Sequence, residues 1–348
     1  MRTGIVAALA LSGLLLPAGR ANALPVFAHR YGLSCQACHT TVPHLDAFGQ
    51  AFLKNGFRMP GARSGVLPIA VKVNLAYSSD AEDGLPKAVV DEVELLTGGA
   101  IGTKFNYFVE QYAIDGGKPG LPRDAWLQYN SGQSHIRAGQ FTLPLPVDPE
   151  TQRDTESHYL AFDQTVGDNR FAFFDPRVGV DAYVDRGDAS AHLVATQSSD
   201  RQSGNAPAGI DLMGSLSKTF GRTTFSAYRY QGQRSLGAAR DAFYRQGFGA
   251  QYEFQKLMLT GVLQHGNDSD PGTGSAAASW ASFLEGRYAF SGSLAAVARY
   301  DRSWDALSGS QHQTVLSLIA RPARNMRFTI EDRIADHHTL NLGWLFAY

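Results

Sequence analysis

Apolar and polar positions alternate with a period of two over most of this chain. In its closing segment Leu340, Leu342, Trp344, Phe346 and Tyr348 alternate with Thr339, Asn341, Gly343, Leu345 and Ala347. Met326, Phe328, Ile330 and Ile334 are interleaved likewise with Arg327, Thr329, Glu331 and Arg333. Ala242, Tyr244, Phe248, Ala250, Tyr252 and Phe254 alternate with Arg245, Gln251 and Glu253. Such a pattern describes strands with one greasy face. Cutting at turn signals predicts sixteen of them, near residues 67–78, 88–98, 104–114, 122–131, 135–144, 177–187, 189–200, 210–221, 223–234, 242–255, 256–269, 278–291, 294–305, 312–323, 325–336 and 338–348. Tight links such as Ser131-Gly132-Gln133, Phe220-Gly221-Arg222, Gln255-Lys256 and Ser291-Gly292-Ser293 trade places with longer polar ones at 201–209, 235–241 and 270–277.

A soluble sandwich alternates too, but it gives aromatic residues no reason to gather at strand ends. An outward apolar band with aromatic girdles and a polar lumen does. The fold expected for residues 66–348 is therefore all-β, a 16-stranded antiparallel outer-membrane β-barrel with both ends on the periplasmic side. Arg137, Arg245, Glu253, Glu285, Arg287, Glu331 and Arg333 should face its lumen, and Tyr348 should close the last strand as an outward aromatic. A ring of this size has room for a small plug.

Before residue 66 the pattern changes. Arg2, the apolar run Ile5 to Leu16, Pro17 and Ala21-Asn22-Ala23 have the layout of an export signal over 1–23, with the mature chain starting at Leu24. The apolar run is too short to span a bilayer as a helix, which takes about twenty residues. Residues 24–63 carry helical spacing: Leu45, Phe48, Phe52 and Leu53 share a face with Gly49, while Asp46, Gln50, Lys54 and Asn55 point away. Thr41 can cap that helix, Pro43 opens it and Gly56 stops it. The segment is too short to build its own core, so its apolar face should pack on a cofactor or on the barrel wall.

Composition changes the picture in two places. Hydrophobic residues make up 44% of the chain and charged ones only 18%, with 36 glycines, which suits strands and turns and excludes disorder. A formal net charge of -1 argues against nucleic acid as a partner.

The only two cysteines sit in Cys35-Gln36-Ala37-Cys38-His39. Two thiols at that spacing with an imidazole directly after them suit thioether attachment of one haem c, with His39 as proximal iron ligand. A redox or disulfide CxxC followed by an unrelated histidine is the alternative. A larger disulfide framework has no further thiols to use, and a zinc site would have to borrow ligands. For the second axial position Met59 is the leading candidate, with His29, His44, a lumen residue or water also open. Phe48 and Phe52 would seat the ring.

The longest link runs from about Leu145 to Pro176. It carries Asp148, Glu150, Asp154, Glu156, Asp163, Asp168 and Asp175 against Arg153 and Arg170, a net charge of -5. Read as a functional loop it would draw divalent cations weakly toward the mouth, chiefly through Asp154, Glu156 and Asp163, with His158 as its one imidazole. Read blandly it is a solvated surface loop.

The run Phe27 to Phe57, FAHRYGLSCQACHTTVPHLDAFGQAFLKNGF, resembles the haem segment of the fused monohaem cytochrome-porins in the outer membranes of iron-oxidising bacteria. The likeness is carried by the haem motif, Pro43, Phe48-Gly49, Phe52 and Asn55-Gly56-Phe57. Over the barrel it is one of architecture. Gly139 to Glu150, GQFTLPLPVDPE, is more weakly similar to strand–loop junctions of phosphate- and sugar-type porins. The resemblance implies electron passage between an extracellular donor, ferrous iron foremost, and a periplasmic cytochrome or other carrier, with iron(II) oxidation as the associated activity. Two function classes stand: this conduit, and a solute porin whose haem segment is a structural or regulatory plug.

Overall fold

The computed structural model describes residues 26–33, 37–39, 45–61, 69–80, 86–147, 152–198, 209–237, 239–323 and 325–347. The export signal, Cys35, His44, Asp148, Glu150, Tyr348 and the side chain of His29 lie outside the described residues. In chain order the elements are α1 (Val26–Tyr31), α2 (Ala47–Lys54), β1 (Ala70–Ser78), β2 (Lys87–Ile101), β3 (Phe105–Asp115), β4 (Lys118–Pro119), β5 (Pro122–Ser131), β6 (Ser134–Phe141), β7 (Asp163–Val166), β8 (Asn169–Ala172), β9 (Arg177–Arg186), β10 (Ala189–Gln197), β11 (Ile210–Phe220), β12 (Thr223–Leu236), β13 (Ala239–Phe254), β14 (Leu257–Asp268), β15 (Ala277–Ser291), β16 (Leu294–Asp305), β17 (Gly309–Ala320), β18 (Met326–Ile334) and β19 (His338–Ala347).

All but β4, β7 and β8 form one closed ring of sixteen antiparallel strands. The ring shuts where β1 pairs with β19, Lys72 opposite Ala347 and Ser78 opposite Asn341. The expected strand count therefore holds. One link differs: the chain turns between Leu236 and Ala239, not over 235–241, because Gly237 takes the left-handed backbone that a two-residue hairpin needs.

Side-chain direction follows the alternation. Arg245, Glu285, Arg287 and Glu331 are buried inside the ring, and Arg137 and Arg333 share their inward parity. Outward positions are apolar and open: Leu193 is 74% and Leu284 65% exposed. Bare leucines in this number belong in hydrocarbon, because a soluble protein keeps exposed apolar patches small. Phe220, Tyr252, Phe254, Tyr288 and Phe290 gather outside at the short-turn rim. Trp280 and Trp304, direct cross-strand partners, stand at the opposite rim. Trp280 and Tyr288 lie on one outward row of β15, roughly 26 Å apart at about 3.3 Å per residue, which matches an apolar band about 25 Å tall. Among the described residues no helix is long and apolar enough to cross a membrane; strands make the crossing.

This register has a direct check. In bilayers containing brominated lipid, variants retaining only Trp280 or only Trp304 are expected to lose most of their fluorescence, while one retaining only Trp126, which faces inward and is 8% exposed, should keep it. Equal quenching of all three would reverse the assignment.

The link between β6 and β9 is the chief departure from expectation. It is not a solvated surface loop but folds into the ring. Leu143, Leu145, Val147, Tyr159, Phe162, Phe171 and Phe173 form one core with Val194, Met213, Tyr228, Tyr230, Phe243, Val262 and Phe283 of the wall. Fully burying one such ring is worth about 1.5–3 kcal/mol, so several of them hold the loop inside. Its β7–β8 hairpin is tied to the wall by Asn169, whose amide donates to Asp241 Oδ2 and Asp268 Oδ1 at 2.8 Å each.

Candidate functional site

The described segment around Cys38 and His39 lies inside the ring, against β2, β3 and β5 near the short-turn rim. Phe57 is buried and stacks on Phe27 at 4.4 Å and on Trp126 of β5 at 6.0 Å, with Phe108 of β3 at 6.4 Å. Phe52 meets Phe27 and Tyr31 edge-on at 5.3 and 5.5 Å. Tyr31 donates its hydroxyl to the Phe57 carbonyl at 2.8 Å, and Lys54 pairs with Asp185 of β9 at 3.2 Å. These contacts answer why so short a segment is ordered: the barrel supplies its core.

The helix α2 begins later than expected. Its cap is Asp46, whose Oδ1 accepts from the Gly49 amide at 2.8 Å; Thr41 and Pro43 lie outside the described residues. It stops where expected, with Gly56 in the left-handed conformation at φ 63. Its first turn is clipped to the motif. Asp46 N donates to the Cys38 carbonyl at 2.8 Å, and His39 bridges Leu45 through the backbone. A Cβ on Gly49 would stand 2.2 Å from the Cys38 carbonyl oxygen, so only glycine permits this approach. Met59 follows Phe57 and Arg58, half-buried.

What is described here suits a haem c. Phe48, beside Gly49, is 44% exposed and Leu53 39%, although both are apolar and the chain around them is inside the ring. An uncovered apolar face next to a Cys–His dipeptide is the surface a porphyrin requires. Phe52 instead belongs to the aromatic anchor, so of the two phenylalanines named for the ring only Phe48 is open.

The loop meets this segment. Gln152 Oε1 accepts from Leu45 N at 3.4 Å, which places the loop's next residues close to the motif. Asp154 is 4% exposed and bonds Arg287 Nε at 2.7 Å. Glu156 approaches Arg327 at 3.5 Å, and its amide and that of Ser157 donate to the Glu331 carboxylate at 2.8 and 2.9 Å. Asp163 is elsewhere, exposed at the start of β7. His158 stacks on Phe174 at 4.8 Å. Two of the three carboxylates chosen from sequence thus sit beside wall arginines, and the three do not form one site.

A second acidic feature was not picked out from the sequence. Glu92, Glu94 and Asp91 of β2, Glu110 and Asp115 of β3 and Asp124 of β5 line one side of the ring, with Lys72 and Arg123 among them. Strand pairing sets Lys72 opposite Glu94, Glu92 opposite Asp115 and Glu110 opposite Asp124. Lys72 contacts both Glu92 and Glu94. Six carboxylates against two basic groups leave this wall negative, and it occupies the same strands as the motif segment, on the side of the long loops. The run Asp91-Glu92-Val93-Glu94 was the available signal; its alternation was absorbed into the strand pattern.

No family model matches the chain, and no curated protein matches it in sequence. Solved structures do match in shape. The anion-selective porin from Comamonas acidovorans superposes with a TM-score of 0.65 at 13% identity, covering 80% of this chain and 98% of that one. The chain has the porin fold. OmpF of Salmonella typhi, solved with daunomycin, gives 0.62 at 15% identity over 80% and 97% of the two chains, and the outer membrane channel DcaP of Acinetobacter baumannii 0.58 at 12% over 80% and 96%. At these identities the likeness is one of fold.

Proposed function

We infer that this porin-fold barrel is an outer-membrane electron-transfer protein. It takes electrons from an extracellular donor, ferrous iron foremost, and delivers them to a periplasmic cytochrome or comparable carrier. One haem c would be held by Cys35, Cys38 and His39, with Met59 the candidate for the remaining axial position. Bound there, the haem supplies a one-electron couple whose potential depends on its surroundings. The observation that carries this reading is the placement of the Cys38-His39 segment within the ring, between the wall of β2, β3 and β5 and the residues following Gln152. Even strand number and short turns support a periplasmic position for the N-terminal segment, where an exported chain would meet its carrier. The negative wall of β1–β5 supports a cationic donor, since a low-dielectric cleft lined by one sign raises local counter-ion concentration and on-rate by about 10–1000-fold.

The test is stopped-flow reduction of the oxidised protein by ferrous iron at low ionic strength. Reduction is expected to outpace that of a free haem peptide of matched potential. Glu92→Gln combined with Asp115→Asn should slow it several-fold, while reduction by ferrocyanide, an anion, should quicken. Rates indifferent to both changes would remove iron as the donor. The second reading, a solute porin with a haem-bearing plug, is favoured by the porin fold, and open-pore conductance in planar bilayers would support it.

A further inference from the structure

We propose that the outer wall of the barrel seats one anionic lipid, its phosphate on Arg229 of β12 and an acyl chain in a groove across β9–β12. The groove measures about 780 Å³ and faces the bilayer. Ala182 of β9, Ala191 of β10, Gly214 of β11 and Ala227 of β12 point outward and keep it open, while Leu193 and Leu216 stand up on either side of it. A Cβ on Gly214 would meet only Leu193 Cδ2, at 3.9 Å, so the wall itself does not fill that space. Strand pairing sets Ile136, near the start of β6, beside Ala182 and continues through Leu193 and Gly214 to Arg229. Four strand spacings of about 4.8 Å make this row roughly 19 Å long, enough for a chain that crosses one leaflet, about half of a core about 30 Å thick.

Arg229 is what calls for an anion. It is exposed on the lipid-facing side of β12, where charge is costly. Its Nη1 donates to Gln246 Oε1 at 2.5 Å, and its guanidinium lies 4.3 Å over the Tyr244 ring. Both of those partners are neutral. Among the described residues no carboxylate pairs with Arg229, and none lines the groove. A second copy of this chain is a poor source for one, since Asp332, the acidic side chain described on the outward strand faces, already pairs with His338 at 3.1 Å. A lipid phosphate brings the charge that the wall lacks, and a guanidinium is suited to hold it.

Height agrees with that reading. Arg229 comes six residues after Thr223, the first of β12, so at about 3.3 Å per residue and a strand tilt of about 40° its backbone stands roughly 15 Å up a band about 25 Å tall. Its side chain then leans over Tyr244, the cross-strand partner of Gln231 further along β12, and so carries the charge toward the outer headgroups. Tyr244 meets His265 at 5.6 Å between rings, and His265 meets Trp280 of the outer aromatic rim at 4.3 Å. Guanidinium, phenol and imidazole therefore sit side by side at the level of that rim, while the groove falls away from Arg229 toward the short turn before β6. Head and tail of one lipid are accommodated together.

The experiment is native mass spectrometry of the full-length protein released from detergent after incubation with phosphatidylglycerol or with phosphatidylcholine of the same acyl chains. One phosphatidylglycerol per chain is expected, retained about tenfold better than phosphatidylcholine, as one charge-assisted contact allows, and not displaced by glycerol phosphate, which has the head without the tail. Arg229→Gln should abolish the preference. Gly214→Phe, which fills the groove and leaves Arg229 intact, should weaken retention several-fold, and Arg302→Gln, another outward arginine, should change nothing. The heat-modifiable electrophoretic shift of a closed barrel checks that each variant is folded. Equal retention of the two lipids by the wild type, an unchanged preference in Arg229→Gln, wild-type retention in Gly214→Phe, loss in Arg302→Gln, displacement by glycerol phosphate, or a protein dimer in place of the lipid adduct overturns the proposal. Lipid retention is read without any electron transfer, so the outcome is independent of the haem reading.

Discussion

Alanine at both Cys35 and Cys38 is expected to abolish covalently held haem while leaving the barrel folded. The two thiols are the only cysteines in the chain, so no other side chain can form the thioethers. The ring owes nothing to them: it closes through β1 and β19 and is filled mainly by the β6–β9 loop. Two measurements on the same sample check the claim. Pyridine haemochrome absorbance after acid-acetone extraction should fall from one haem per chain to none, and the heat-modifiable electrophoretic shift of a closed barrel should persist. Wild-type protein that yields its haem to acid-acetone would sink the attachment at this motif.

Arg299→Leu is expected to release the inner loop and open the lumen. The guanidinium is fully enclosed and gathers four separate partners. It donates to Asp301 Oδ2 at 2.7 Å, to Thr155 Oγ1 at 2.8 Å and to the Ser157 and His158 carbonyls at 2.9 Å each, while lying 4.0 Å over the Tyr159 ring. Leucine keeps the bulk but leaves the buried Asp301 and Glu285 carboxylates without this counter-charge and the Ser157 carbonyl without this donor, while Gln313 Nε2 still donates to the His158 carbonyl at 2.8 Å and to Asp301 Oδ2 at 3.1 Å; breaking one side of a buried pair typically costs about 3–5 kcal/mol. That is comparable with burying one or two of the loop's aromatic rings. Single-channel conductance should rise severalfold, with new protease cleavage between residues 152 and 176. Arg302→Leu, on the outward face of the same strand and bonded at 3.4 Å to Ser310, should change neither. Unchanged conductance in Arg299→Leu would mean that the loop is held by its apolar core alone.

The strands were legible because their signal is local. Period-two alternation fixes both the existence of β13, β18 and β19 and which of their side chains face inward, and no distant residue has to be known. The haem reading of the motif is likewise drawn from five adjacent residues alone. The loop was misjudged because its charges were counted and its apolar residues were not. Leu143, Leu145 and Val147 continue the alternation of β6 past its end, and Phe171 and Phe173 repeat it, which is the mark of a segment with a wall to lie on. The partners that neutralise its carboxylates, Arg287 for Asp154 and Arg327 for Glu156, are more than a hundred residues away, so no local reading could pair them. The cap shifted to Asp46 because Cys38 folds back on the helix start, a contact set by the motif's own path.

Closure of the ring between Lys72 and Ala347 also sets an order of events. β1 is the first strand of the ring and β19 the last, so the seam is sealed only after every strand between them has been made. Of the residues before β1, those described around Phe27, Phe52 and Phe57 lie inside that ring, and a bulky prosthetic group held beside them could not pass through a wall already hydrogen-bonded all round. If Cys35 and Cys38 hold a haem as proposed, its attachment would belong to the interval before that sealing. Maturation would then be a race in which ligation has to finish before β1 and β19 find each other, and slow haem supply would give sealed barrels without haem.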